Sequence, residues 1–137
     1  MKRKDLQELS NVRLKEAKAL LRAGLTDGAY YLAGYAVECA LKACIAKSTQ
    51  RHEFPEKKKV TDSYSHDLLG LVKVAGLIEA RLNHAATDAA FRINWEVAQA
   101  WSEQSRYERH ELADARLLLE AVGDTLHGVI AWRKRHW

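Results

Sequence analysis

The chain has 137 residues, a formal charge of +4, a pI near 9.1, one proline and two cysteines. Its length suits one domain, residues 1–137, able to bury its apolar surface without staples. The mild basic excess permits an acidic or nucleic-acid partner without requiring one, and two cysteines without paired spacing exclude a cysteine zinc site.

Few β-branched runs and the single Pro55 favour an all-α fold. A first helix is expected from about Lys4 to Ala23, with Leu6, Leu9, Val12, Leu14, Ala17, Leu20 and Leu21 forming its apolar face. Gly24 is its natural stop, and Thr26 or Asp27 then caps a second helix through Lys47, making an antiparallel hairpin.

This second stretch, Gly28 to Lys47, is apolar on nearly every side, as expected of a helix through the middle of a bundle. It is barely long enough to span a membrane, and Glu38 and Lys42 at its centre would be costly in lipid, so it reads as core. Tyr31, Tyr35, Glu38 and Lys42 recur at helical spacing as one polar and aromatic stripe. That stripe is a candidate dimer or partner surface, with a buried ion pair fixing bundle register as the alternative. Cys39 and Cys44 point to different sides and are not expected to pair; two buried thiols fit a reducing cytoplasm. With no signal peptide at Met1 to Lys4, a cytoplasmic protein is expected.

Residues 48–65 are polar, contain Arg51, Lys57, Lys58 and Lys59, and are expected to form a long loop, either mobile or engaged by a partner. Ser65 should cap a short helix through about Ala75, with Asp67 in its first turn. A fourth helix is expected from Thr87 or Asp88 to Trp101, with Ala90, Phe91, Trp95, Ala98 and Trp101 as core. A last one should run from Arg109 to Arg135 on Leu112, Ala115, Leu119, Val122, Leu126 and Val129, interrupted but not broken by Gly123 and Gly128. Four long helices and a short one would bring Lys2, Arg3 and Lys4 near Arg133, Lys134 and Arg135. With Trp132 and Trp137 these could form a basic patch for phosphates and bases, or could be ordinary dipole complements at frayed ends.

No glycine-rich phosphate loop or dinucleotide fingerprint is present. His84 with Asp88, and His110 with Asp114, are four apart, but two ligands are too few for a metal site, and none is expected. Arg106, Tyr107, Arg109 and His110 form the most chemically suggestive cluster. An arginine can stabilise a phosphate while a histidine exchanges a proton, as RNA cleavage by a 2′-hydroxyl requires. If a helix includes them, Arg106 and His110 share a face. The bland reading is that Arg106 and Tyr107 tie the preceding turn to the bundle.

Three segments resemble the HEPN family. Ala36, Glu38, Leu41 and Lys42 look like the A-x-E-x-x-L-K of its second helix; Ser65 to Leu69 like its S/T-H-D-L helix opening; Trp101, Arg106 and Tyr107 like its W-x-x-x-x-R-Y segment. The resemblance implies an up-and-down bundle of about five helices that pairs as a homodimer. It also implies a possible minimal nucleotidyltransferase partner, as in toxin and antitoxin pairs. Catalytic members are metal-independent ribonucleases with four to six residues between an arginine and a histidine. Here only three separate Arg106 from His110, and Glu111, Leu112 and Ala113 stand where the histidine would fall.

The expected function is therefore a non-catalytic HEPN module without cofactor, binding a nucleotide, an RNA or a partner protein. Its candidate residues are Tyr31, Tyr35, Glu38, Lys42, Tyr107, Arg109, Arg133, Lys134 and Arg135. The alternatives are a toxin-like endoribonuclease using Arg106 and His110, and a purely structural dimeric scaffold.

Overall fold

The computed structural model describes residues 1–49 and 54–137. Helix α1, Arg3–Arg22, starts where the Lys2 backbone N–H donates to Asp5 Oδ2 at 2.8 Å. It ends in a Schellman turn: Gly24 takes φ +77°, Leu25 N donates to Leu20 O at 2.9 Å, and Gly24 N donates to Leu21 O. The chain reverses there into α2, Thr26–Ser48, which is buried on almost every side through its second half. Ser10 Oγ, itself buried, donates to the Ala36 carbonyl at 2.8 Å and ties the two helices together. Cys39 and Cys44 are buried and unpaired, and burial pushes both thiols up to about 11.

The expected loop at 48–65 holds a helix, α3 (Lys57–Ser63), with no buried residue. Arg51 and its neighbours at 50–53 lie outside the described residues. Helix α4, Leu68–Val74, is capped by Asp67, whose carboxylate accepts from Gly70 N. Ser65, the expected cap, instead accepts from Asp67 N and shapes the entry. A second Schellman turn at Gly76, φ +72°, ends α4.

Three expectations fail in the second half. An additional helix, α5 (Ile78–Thr87), precedes α6 (Ala89–Gln99), with Asp88 between them accepting from Phe91 N. Of the expected α6 core, Phe91, Trp95, Ala98 and Trp101 are buried, but Ala90 is exposed. A 3-10 turn at Glu103–Tyr107 then leads to α7, Leu112–Gly123. The last helix is broken: Asp124 Oδ1 accepts from Leu126 N and His127 N, giving the backbone partners that helical continuation would have supplied. Leu126 is consequently exposed, and α8, Val129–Arg133, starts afresh. Among the described residues the fold is an all-α bundle of eight helices rather than about five. Its core joins α1, α2, α4, α6, α7 and α8.

Candidate functional site

The stripe on α2 and the 3-10 turn meet through aromatic packing. Tyr31 stacks on Tyr35 at 6.1 Å and lies 6.0 Å from the Trp101 ring. Gly34 makes this approach possible, because a Cβ there would overlap the Trp101 indole. Further along α2, Glu38 is 2% exposed. Its Oε1 accepts from Lys42 Nζ at 3.0 Å and from His66 Nδ1 at 2.8 Å. His66 Nε2 is 3.2 Å from Glu103 Oε2. One imidazole thus bridges the buried centre of α2 and the 3-10 turn. Glu38 Oε2 is buried without a hydrogen-bond partner among the described residues. The stripe accordingly divides: Glu38 is enclosed, while Tyr31, Tyr35 and Lys42 keep partial exposure.

The Arg106 cluster also divides. Arg106, Tyr107 and Arg109 are exposed. The Arg106 guanidinium lies 4.9 Å over the Tyr107 ring. Its pKa is raised above the ordinary arginine value, first by Tyr107, with Tyr31 and Glu103 adding to the effect. His110 belongs to a different environment. Its backbone N–H donates to Asp27 Oδ1 and its carbonyl accepts from Thr26 Oγ1, both at 2.6 Å. Its ring stacks on Tyr30 with centroids 3.7 Å apart, and Nε2 is 3.4 Å from the Ser105 carbonyl. Neither Arg106 nor His110 lies on α7, which begins at Leu112, so the expected shared helical face does not exist. Thr26 and Asp27, read as caps from sequence, are the residues that fasten this turn to α2.

The expected C-terminal patch is not one surface. Arg133 is fully buried, whereas Lys134 and Arg135 are exposed. Trp132 is also buried, and Trp137 stacks against the Arg133 guanidinium, 3.3 Å from its centroid. Arg133 therefore does not share one exposed surface with Lys134 and Arg135.

The bridge from Glu38 through His66 to Glu103, with Arg106 on the same turn and Trp101 leading into it, assembles the three segments singled out in the sequence. A family model described as HEPN domain matches residues 4–123. The chain belongs to the HEPN domain family. Comparison with curated proteins and with solved structures returned no match. The HEPN match stops at the end of α7, so α8 and Arg133 lie beyond it. Glu103 was missed in the sequence, where nothing but its place inside the W-x-x-x-x-R-Y segment pointed to it. No helix among the described residues is long and apolar enough to cross a membrane. No cluster of three or more His, Cys, Asp or Glu side chains among them could hold a metal ion.

Proposed function

We propose that this HEPN domain is a non-catalytic module that binds single-stranded RNA at the 3-10 turn between α6 and α7. The observation that carries this reading is the pairing of the exposed Arg106 guanidinium with the Tyr107 ring, which is 74% exposed. A guanidinium held beside an open aromatic face offers a phosphate contact next to a base-stacking platform. Arg109, also exposed, supplies a second cation two residues beyond the turn. No salt bridge among the described residues occupies either arginine.

His110 supports binding over cleavage. A general base must reach the proton it removes, and this ring is stacked on Tyr30 with its side chain only 11% exposed. Pairing of two copies and association with a minimal nucleotidyltransferase accompany the proposal on the family resemblance, and a cytoplasmic location accompanies it on the two buried thiols. Tyr31, Tyr35 and Lys42 are the half-exposed residues offered for such a contact.

The test is retention of a labelled single-stranded RNA by the purified protein across a salt series, with cleavage followed in the same samples. Binding that weakens with salt and falls in Arg106→Ala and Tyr107→Ala is expected. No retention at low salt overturns the reading. Metal-independent cleavage lost in both Arg106→Ala and His110→Ala would replace it with the ribonuclease.

A further inference from the structure

Arg133 stands outside the site just described and outside the span matched by the family. It is 0% exposed, and Nε, Nη1 and Nη2 all lack a hydrogen-bond partner among the described residues. A buried guanidinium without partners is among the most costly arrangements in a protein interior, unless an anion joins it. Nothing described nearby provides one. The neighbouring titratable group is Cys44, whose thiol burial pushes up to about 11, so it stays neutral. The Ile45 carbonyl near the end of α2 accepts from Ser48 Oγ and Thr49 Oγ1 instead.

The surroundings add positive charge. Lys47 and Arg135 both act on His136, which burial first of all, and then those two cations, hold below the ordinary histidine value. None of Lys47, Arg133, Lys134 or Arg135 makes a salt bridge among the described residues. One face of the Arg133 guanidinium is covered by Trp137, leaving its in-plane donors as the unmet groups. An open cleft with Asn83, His84, Trp132, Arg135 and His136 in its wall borders this segment, and Arg133 itself lies behind that wall.

We propose that Arg133 anchors an oxyanion site for a phosphate group, with Trp137 stacked on one face of the guanidinium and Arg135 and His136 on the same segment. The planar fork of an arginine matches two phosphate oxygens at once, and the low dielectric of a buried position strengthens that contact. Binding moves the tail enough to admit the anion while Trp137 stays stacked on the guanidinium.

The experiment titrates the full chain with inorganic phosphate against sodium chloride of equal ionic strength. It follows tryptophan emission and the Arg133 Nε–H resonance. Phosphate, and not chloride, is expected to shift that resonance and alter emission saturably. Arg133→Met keeps the volume and removes the charge; it should weaken phosphate binding by about tenfold or more and be no less stable than the wild type without phosphate. Trp137→Ala should retain phosphate binding but lose most of the emission change, and Arg106→Ala should retain both. An unmoved Arg133 resonance, an undiminished phosphate response in Arg133→Met, or a less stable Arg133→Met protein without phosphate would each overturn the proposal. The last of these would mean that the guanidinium already has a partner within the chain.

Discussion

His66 Nδ1 lies 2.8 Å from Glu38 Oε1, and this bond joins the start of α4 to the buried centre of α2. Lys42 shares the same oxygen. Glu38→Ala removes the acceptor from both at once and is expected to cost about 1.5–3 kcal/mol, the range for a hydrogen bond to a charged group, because Lys42 and His66, left behind, both reach solvent. Glu38→Gln keeps an acceptor oxygen and should cost less. Urea unfolding of the two variants checks the ordering; equal losses would mean that shape rather than charge matters at this position.

Gly34→Ala should be among the most damaging small substitutions. The added methyl would overlap the Trp101 indole, and both neighbours are buried against the bundle. Overpacking of this kind costs about 1–3 kcal/mol or more. Because Trp101 leads into the 3-10 turn, the variant should also lose RNA retention even where it remains folded. Near-ultraviolet circular dichroism and the salt-series assay read the two effects separately.

The junction between α5 and α6 should carry a pH signature. His127 Nδ1 lies 2.7 Å from Asp88 Oδ2. That bond is the first cause raising His127 above its ordinary 6.5 and the first holding Asp88 below its ordinary 3.8. The raised histidine stabilises fully below its unfolded value, and its contribution is lost as pH rises through the folded one. The depressed carboxylate stabilises above its unfolded value and loses its contribution as pH falls through the folded one. The pair's contribution therefore holds between 3.8 and 6.5 and declines on both sides. Comparing wild type with His127→Ala at about pH 6 and about pH 8, the stability difference between them should shrink at the higher pH.

Arg106 and His110 should separate cleanly. His110→Ala loses an aromatic stack on Tyr30, worth about 0.5–1.5 kcal/mol, while RNA retention stays near wild type. Arg106→Ala should leave unfolding unchanged and weaken RNA binding with a shallower salt dependence. If His110→Ala were as damaging to RNA binding as Arg106→Ala, the two would have to act on one ligand.

The first hairpin was legible from local patterns: the apolar face of α1, Gly24 as its stop, and the all-round apolarity of α2. The three family segments were legible as well, including the W-x-x-x-x-R-Y stretch that supplies the candidate site. Helix α5 was not, because it has no side-chain cap and no buried residue to mark a face. The break at Asp124 was hidden because Leu126 and Val129 continue the apolar spacing across it.

By itself the sequence determined the all-α class, the central helix and the family, since helical periodicity, caps and short motifs depend on near neighbours along the chain. Only the tertiary structure decided that Arg133 is buried while Lys134 is not, and that His110 faces Tyr30 rather than Arg106. It also decided that His66 joins two carboxylates 28 and 37 residues away. Burial and partnership of a polar side chain are set by what distant segments bring against it, and local spacing carries no record of that.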